Sequence, residues 1–301
     1  MAQDIFIGID GGASKCKSRV EDAHGKLLGH ALGGPANIRL SVDHSWQSVY
    51  HSIEEVLKLH GISLQDKNYR FHVGMGLAGC EVPAAREDFL SRAHPFTTIY
   101  LTSDAHVACL GAHGGQDGSI IIIGTGVIGY EIQDGVGLSV GGWGFPHDDE
   151  GGGAWLGMEV ARLTFSWIDH RVEKSALLEE VFAFFNNDIA EFATWANSAN
   201  SSEFARLAPL VINHSQQADP WAIHLMKRAA IAINRVGVAL EKIHVHKNLL
   251  LPCSLFGGVA PFVEPWLDEA LRSRLVSRQG DANVGAILMV KQVLEKQKQV
   301  S

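Results

Sequence analysis

Two glycine turns in the sequence follow strand-like segments and carry residue types that bind phosphate. The first is Asp10-Gly11-Gly12-Ala13-Ser14-Lys15, and the second is Gly124-Thr125-Gly126. A glycine turn lets backbone N–H groups approach an anion with no Cβ in the way. The Ser14 and Thr125 hydroxyls can donate to phosphate oxygens, Lys15 adds positive charge, and Asp10 can hold Mg²⁺ through water. The pair predicts that one polyphosphate is held from opposite sides.

Each turn also has simpler interpretations. Taken alone, either is equally an ordinary hairpin turn. Gly124, Gly126 and Gly129 fit the Gly-x-Gly-x-x-Gly pattern of dinucleotide-binding proteins. That pattern needs a helix at its third glycine, whereas residues 130–142 alternate and are rich in glycine. The sequence has no Gly-Lys-Ser/Thr loop, which excludes a P-loop. The recurrence of the turn at matching positions in two similar halves favours phosphate binding.

The first half of the chain predicts one α/β unit. Strands are expected at residues 4–10, 17–21, 26–31, 71–77 and 98–102, with helices at 42–60, from Pro83 and from Asp104. The helix at 42–60 is indicated by apolar residues at three- and four-residue steps that end before Gly61. The predicted order is βββαβαβα.

The second half predicts the same order with a helical insertion. Strands are expected at 120–123, 127–133, 136–140, 249–256 and 274–278, with helices over 154–243, from Phe262 and at 283–296. We therefore predict an N-terminal domain at 1–115, onto which the last helix, 283–297, packs back. The C-terminal domain is predicted at 116–301 with its helical insertion at 154–245, and a central cleft between the domains suits a two-substrate reaction.

Composition narrows the class of protein. The 301 residues are 46% hydrophobic and carry a net charge of −8, which fits a globular chain and argues against nucleic acid as a partner. The four cysteines are scattered without metal-ligand spacing, and His244 and His246 have no third ligand nearby. The sequence shows neither an export signal nor a membrane span, so we expect a cytoplasmic protein without a membrane partner. The sequence does not decide whether the protein forms a homodimer.

Motifs along nearly the whole chain resemble those of the BadF/BadG/BcrA/BcrD ATPases, in the sugar-kinase branch of the actin-like ATPase superfamily. The residues that carry the resemblance are Gly8-Ile9-Asp10-Gly11-Gly12, Pro35-Ala36-Asn37, Gly76-Leu77-Ala78-Gly79, Ser103-Asp104-Ala105, Leu110-Gly111-Ala112-His113, Gly124-Thr125-Gly126, Gly141-Gly142-Trp143-Gly144, Asp149-Glu150-Gly151 and Gly280-Asp281. The resemblance implies two ribonuclease H-like domains and Mg-ATP-dependent phosphorylation of an amino-sugar 6-hydroxyl. N-acetylglucosamine is expected slightly ahead of glucosamine.

Two functions of other classes stay open beside the kinase. Some members of this family are activating ATPases that drive an electron-transfer partner, and these hold an iron–sulfur cluster on closely spaced cysteines. The four cysteines here lack that pattern. A sugar sensor without turnover is the other alternative, and the presence of Asp104 disfavours it.

Asp104 is the candidate catalytic base. Transfer of a phosphoryl group to a sugar hydroxyl needs a carboxylate that accepts the hydroxyl proton. Asp104 lies between a predicted strand and a predicted helix, and the resemblance matches it to the catalytic aspartate of the kinases. From position alone, an ordinary helix N-cap is about as good an interpretation.

The resemblance also implies binding residues. It places Asn37, Gly79, Trp143 and Asp149 around the sugar, and it implies that Gly257-Gly258 lets the adenosine approach the backbone. The acidic residues 148–150 could instead favour the start of the helix that follows them. Relatives often have Gly-Thr at Ala13-Ser14, and Ser at Val127 and Gly152.

Overall fold

The computed structural model describes residues 2–243 and 250–300. The chain forms two compact units. The first comprises Met1–Gly118, Ile132–Gly137 and Ser277–Ser301, and the second comprises Ser119–Glu131 and Leu138–Val276. The sequence predicted a boundary at residues 115 and 116, with the last helix, 283–297, packed back onto the first domain. In the structure, Ile132–Gly137 belongs to the first unit as well. The described residues contain no helix with the length and hydropathy needed to cross a membrane.

The first unit is built on a five-stranded sheet. Its strands are β1 (Gln3–Gly11), β2 (Cys16–Asp22), β3 (Leu27–Gly33), β4 (Tyr69–Leu77) and β5 (Thr98–Thr102). Their order is β3-β2-β1-β4-β5. β2 is antiparallel to both β1 and β3, whereas β4 is parallel to both β1 and β5. The parallel strands therefore end at one edge of the sheet.

Helices connect and cover the strands. In the described residues they are α1 (Val42–Leu59), α2 (Pro83–Ser91), α3 (Asp104–Ala112), α4 (Gly153–Ile168), α5 (Ala176–Ala183), α6 (Ile189–Ser198), α7 (Ser201–Ala205), α8 (Ala208–Gln216), α9 (Pro220–Ile243), α10 (Ala260–Val263), α11 (Glu269–Arg272) and α12 (Ala282–Val300). With β1–β5, helices α1–α3 complete the βββαβαβα order that the sequence predicted for the first half.

Local sequence explains where α1 begins and ends. The Ser41 side chain accepts a hydrogen bond from the His44 N–H, which satisfies one of the free amides of the first turn. The apolar side chains at three- and four-residue steps lie on the buried face of the helix. Gly61 follows the helix at φ +67°, a conformation that glycine adopts without strain. The predicted helix at 42–60 is confirmed to within one residue.

Helix α12 packs directly on the sheet and on α3, because glycines remove the side chains between the backbones. A Cβ at Gly8 of β1 would lie 2.0 Å from the Asn283 carbonyl oxygen, and one at Gly74 of β4 would lie 2.0 Å from that of Ala286. The Asn283 side-chain amide donates to the Gly8 carbonyl at 3.0 Å and to the Lys17 carbonyl at 2.6 Å. These contacts fix α12 against β1 and β2.

The second sheet has four strands. They are β6 (Gly118–Ile123), β7 (Val127–Gln133), β8 (Val136–Gly141) and β9 (Cys253–Phe256), in the order β8-β7-β6-β9, with β6 parallel to β9. Asp134 and Gly135 both have positive φ, as a type I′ hairpin turn requires, so this predicted turn is confirmed. The insertion of helices after residue 153 is also confirmed, and it forms most of the core of the second unit.

The strand predicted at 274–278 is wrong. Only Leu275 pairs with β9, through an isolated parallel bridge to Cys253. The Ser254 hydroxyl donates to the Val276 carbonyl at 2.9 Å, and the Arg274 guanidinium donates to the Leu251 carbonyl at 2.9 Å. Since side chains take over these hydrogen bonds, the ladder ends after one residue pair.

Two other predicted features of this region involve residues outside the described part of the chain. The strand predicted at 249–256 begins only at Cys253 among the described residues, and Leu249 lies outside them. The histidine pair at 244 and 246, and the predicted end of the helical insertion at 245, also lie outside the described residues.

The packing of α12 generates a stability prediction. Gly74→Ala should lower the free energy of unfolding by about 3 kcal/mol or more, because its Cβ must displace the backbone of α12. Urea unfolding measured by circular dichroism checks this. Gly12→Ala is the matched control, since a Cβ there meets no atom within 4 Å. Equal stability of the two variants would contradict the packing role.

Candidate active site

The carboxyl edge of the first sheet holds the candidate base, Asp104. It is the first residue of α3 and follows β5 by two positions. The helix cap is Ser103, whose side chain accepts from the His106 N–H, so the N-cap interpretation of Asp104 is wrong. One Asp104 carboxylate oxygen accepts from the Ala105 N–H at 2.8 Å, which orients the group at the start of the helix.

Electrostatics make Asp104 a stronger proton acceptor than a free aspartate. Burial raises the pKa of Asp104, and the negative charge of Glu81 raises it further, against the hydrogen bond from the Ala105 amide. Glu81 follows Gly79 and Cys80 in the loop that leaves β4. A carboxylate with a raised pKa has a greater affinity for a proton, as general-base catalysis needs.

Asp10 lies near Asp104 at the same edge. Burial, followed by the charges of Asp104 and Asp281, raises the pKa of Asp10 from 3.8 to about 6. Lys17 and Lys15 oppose this shift. The structure thus brings two predicted site residues, Asp10 and Asp104, within electrostatic reach of each other.

Asp281 and Lys17 belong to this charged group, and the sequence analysis assigned neither a role. The Lys17 ammonium lies 2.7 Å from an Asp281 carboxylate oxygen. The other Asp281 carboxylate oxygen accepts from the Val284 N–H at 3.1 Å, in the first turn of α12. The sequence signal for Asp281 is that an aspartate before a predicted helix can cap it, apart from the Gly280-Asp281 motif.

Asn37 and Gly79 lie together in two loops next to this edge. Asn37 forms a parallel bridge with Ala78, and the Ala78 N–H donates to the Gly11 carbonyl at 2.8 Å. Gly79 has a φ of +84°, and a Cβ there would lie 2.7 Å from the Asn37 amide oxygen. The Asn37 oxygen therefore occupies space that only glycine at position 79 leaves open.

The turn between β1 and β2 presents free amides. Its Gly12 N–H donates to the Lys15 carbonyl at 2.9 Å. Among the hydrogen bonds of the described residues, none is donated by the backbone amides of Ala13, Ser14 and Lys15. A Cβ at Gly11 would lie 2.6 Å from the Leu77 side chain, whereas one at Gly12 meets nothing within 4 Å. Gly11 serves packing, and Gly12 leaves open space beside a row of amides, as an anion site requires.

In the Gly124-Thr125-Gly126 turn of the second unit, one glycine likewise leaves open space and the other allows a close packing contact. The Gly124 and Thr125 carbonyls accept from the Gly153 and Ala154 amides at 2.8 and 2.9 Å, so the turn is fixed to the first turn of α4. A Cβ at Gly124 meets nothing within 4 Å, whereas one at Gly126 would lie 2.5 Å from the Asp149 carboxyl group.

Asp149 is bound to this turn. Its Oδ1 accepts from the Val127 N–H at 3.0 Å, and its φ is +68°. Helix α4 begins at Gly153 with Gly152 as N-cap and no side-chain cap, so Asp149 does not cap the helix. A Cβ at Gly152 would lie 2.7 Å from the Thr125 carbonyl oxygen, so a side chain here requires the Gly124-Thr125-Gly126 turn to shift.

Trp143 projects into solvent from the loop after β8. It is 86% exposed, and its backbone N–H donates to an Asp148 carboxylate oxygen at 3.0 Å. An indole ring this exposed is available to pack against a sugar ring.

A cavity of about 500 Å³ lies in the second unit beside the Gly124-Thr125-Gly126 turn. Its lining combines residues from the two predicted turns with residues of the helical insertion that the sequence analysis did not identify: Gly124, Thr125, Gly153, Ala205, Ala208, Pro209, Ile212, Asn213, Gly258, Val259 and Phe262. Gly257 packs its backbone on Ile123, since a Cβ there would lie 2.2 Å from the Ile123 carbonyl oxygen. Gly258 has open space instead.

The sheet of the first unit defines the class of protein. Three antiparallel strands followed by two parallel strands, in the order β3-β2-β1-β4-β5, form the ribonuclease H-like domain of the actin-like ATPases. A model of the BadF/BadG/BcrA/BcrD ATPase family matches residues 7–289, so the chain belongs to that family.

Comparison with individual proteins gives full-length matches. The glucosamine kinase GspK of Vibrio cholerae is 35% identical over 285 residues, which covers 95% of each chain. The N-acetylmuramic acid/N-acetylglucosamine kinase of Clostridium acetobutylicum is 26% identical, over 95% of this chain and 97% of its own. A crystal structure from Chromobacterium violaceum, provisionally assigned as an N-acetylglucosamine kinase, superposes with a TM-score of 0.81 at 34% identity. It covers 95% of this chain and 98% of its own.

The raised pKa of Asp10 generates a prediction. A carboxyl group that binds its proton more tightly when folded opposes folding once it is ionised. Asp10→Asn should therefore raise the free energy of unfolding by about 1–3 kcal/mol at pH 8, a gain that shrinks as the pH falls through 6 and is small near pH 4. Urea unfolding without nucleotide at the two pH values checks this.

The control for Asp10→Asn is Glu87→Gln, which removes an exposed carboxylate from α2. It should change stability by less than about 0.5 kcal/mol at either pH. A lower stability of Asp10→Asn at pH 8 would show that the charge of Asp10 supports the fold.

Proposed function

We propose that the protein transfers the γ-phosphoryl group of ATP to the 6-hydroxyl of N-acetylglucosamine, with glucosamine as the alternative acceptor. That it is an ATP-dependent sugar kinase, and more closely an amino-sugar kinase, follows from the family and from the full-length relatives. We propose in addition that the 6-hydroxyl is the group phosphorylated and that N-acetylglucosamine is preferred over glucosamine. The relatives act on glucosamine and on N-acetylglucosamine by name, so both sugars belong in its test.

The observation that carries the proposal is the position of Asp104. Its half-buried carboxylate lies at the carboxyl edge of the sheet, within electrostatic reach of Asp10. We assign it as the catalytic base. It accepts the proton of the sugar hydroxyl as that oxygen bonds to the γ-phosphorus and the bond to ADP breaks.

Phosphate binding is assigned to the two glycine turns. In the first unit, the free amides of Ala13, Ser14 and Lys15 and the open space at Gly12 fit an anion. The exposed Ser14 hydroxyl and Lys15 ammonium add a donor and a positive charge. In the second unit, the exposed Thr125 hydroxyl and the open face of Gly124 serve the same purpose.

The residues around Asp10 fit a hydrated magnesium ion. Burial raises the pKa of Asp10, and the negative charges of Asp104 and Asp281 raise it further against the positive charges of Lys17 and Lys15. The described residues contain no group of three ligands that could enclose a metal, and magnesium usually keeps several waters. We propose that Asp10 holds Mg²⁺ through water, where the ion would neutralise phosphate charge.

Sugar binding is assigned to two groups of residues. In the first unit, the Asn37 amide lies against Gly79 beside the loop of Glu81, and it can donate to and accept from hydroxyls. In the second unit, the exposed Trp143 ring offers an apolar face, and the Asp149 carboxylate retains an acceptor oxygen beyond its bond to Val127.

The cysteines do not favour the electron-transfer alternative. Cys16, Cys80, Cys109 and Cys253 are buried, and none of them forms a disulfide within the described residues. Burial raises the pKa of Cys16 and Cys253 to about 11 and that of Cys80 to about 12. Thiols with such pKa values stay protonated at neutral pH, and buried cysteines that are scattered along the chain do not present the closely spaced ligands that hold an iron–sulfur cluster.

The role of Asp104 predicts the effect of its amide variant. Asp104→Asn should lower kcat at least about 100-fold with N-acetylglucosamine or glucosamine, because the amide cannot accept the hydroxyl proton. The measurement is ADP release with N-acetylglucosamine, glucosamine, glucose or no sugar, and nuclear magnetic resonance of the product identifies the phosphorylated hydroxyl.

Binding of ADP to Asp104→Asn, measured by calorimetry, serves as the control and should stay within about threefold of the wild type. Near-normal turnover by this variant would remove Asp104 from the base role. Sugar-independent ADP release by the wild-type protein would count against a kinase altogether.

The contrast between Gly11 and Gly12 gives a second prediction. Gly12→Ala should raise the KM for ATP about tenfold or more at unchanged melting temperature, because its Cβ enters the open space at the amides. Gly11→Ala should lower the melting temperature, since its Cβ meets Leu77 and Ala36 at 2.6 and 2.8 Å. Steady-state kinetics and thermal unfolding separate the two effects. An unchanged KM for ATP in Gly12→Ala would exclude the turn from phosphate binding.

A further inference from the structure

The cavity of the second unit contains an unusual combination of side chains. Apart from Thr125 in the glycine turn, Asn213 is the one polar side chain in its lining. The remaining lining residues are glycine, alanine, proline, isoleucine, valine and phenylalanine. An apolar slot with one amide at its wall is typical of a pocket that packs against the faces of a flat ring and forms hydrogen bonds with one polar edge of that ring.

The helical insertion places Asn213 at this wall. Ala208, Pro209, Ile212 and Asn213 stand at helix positions i, i+1, i+4 and i+5 of α8, so they share one face. The neighbours of Asn213 have other tasks: Ile212 is buried, and the His214 ring lies 2.6 Å from a Glu180 carboxylate oxygen. Asn213 itself is exposed, and its side chain makes no hydrogen bond within the described residues.

The glycine residues in the same lining indicate which part of a nucleotide would reach Asn213. Gly124 and Thr125 belong to the turn assigned to phosphate, and Gly258 leaves its backbone uncovered. A nucleotide whose phosphates lie at that turn would extend its base toward α8. This step rests on the proposed function, because it takes the turn as a phosphate site.

We propose that Asn213 selects adenine over guanine as the base of the phosphoryl donor. Adenine presents the 6-amino donor next to a ring-nitrogen acceptor, and the oxygen and NH₂ of one asparagine amide match this pair. The N7 and O6 atoms of guanine are both acceptors, which leaves the amide oxygen of Asn213 without a donor at that edge. The apolar walls then bind either base, and the amide decides between them.

Exchange of the amide for a carboxylate tests the selection. Asn213→Asp removes the donor and supplies an acceptor that matches the adjacent N1–H and 2-amino donors of guanine. We expect the ratio of kcat/KM for ATP to that for GTP to fall about tenfold or more, and that for Asn213→Ala to fall about threefold to tenfold. Gln216→Glu is the matched control, since it places the same charge on α8 outside the cavity lining and should leave the ratio unchanged.

Calorimetric binding of ADP and GDP without sugar provides a readout that does not depend on turnover. Both Asn213 variants should lose preference for ADP in binding as well as in kinetics. An unchanged ADP to GDP preference in both variants would overturn the proposal. If the wild-type protein binds ADP but no sugar increases the rate at which it forms ADP from ATP, the proposed function fails. The binding data for ADP and GDP still decide the role of Asn213 in that case.

Discussion

The structure depends on backbone-to-backbone contact between helix α12 and the elements that carry the carboxylates. Glycines at 8, 74 and 111 let its backbone approach β1, β4 and α3, where any Cβ would lie about 2 Å from a carbonyl oxygen. The same helix brings Asp281 to Lys17 and places the Asn283 amide on the carbonyls of β1 and β2. Asp10 and Asp104 therefore project from elements that cannot shift independently, which is the rigidity a site needs.

The rigid packing holds several carboxylates close together at the edge of the sheet. Asp10 is held near Asp104 and Asp281 although their repulsion and burial raise its pKa to about 6. The folded protein would be more stable with an uncharged hydroxyl or amide side chain in place of the Asp10 carboxylate. Stability is therefore lower than it could be at the site where chemistry takes place. Lys17 offsets part of the charge through its 2.7 Å contact with Asp281.

Much of the fold could be predicted because its signals are local. Alternating strands, the Asp134-Gly135 turn and the stripe of α1 each depend on neighbours a few residues away. That the last helix packs back on the first domain was expected, but its contact with Gly8 joins residues about 275 positions apart, and no local pattern reveals which residues meet. Side-chain hydrogen bonds from Ser254 and Arg274 ended a strand that hydrophobicity alone favoured. Asn213 was missed because exposed asparagines on helices are common, and only the cavity shows what surrounds this one.

The first unit is discontinuous in sequence, and this has a consequence for how the protein is made. Its sheet is complete after β5, yet Ser277–Ser301, which supplies α12, is synthesised only after all segments of the second unit. A nascent chain on the ribosome therefore exposes the glycine-lined face of β1 and β4 until α12 has been made and has emerged. Premature termination shortly before α12 would leave an uncovered sheet surface of the kind that molecular chaperones bind.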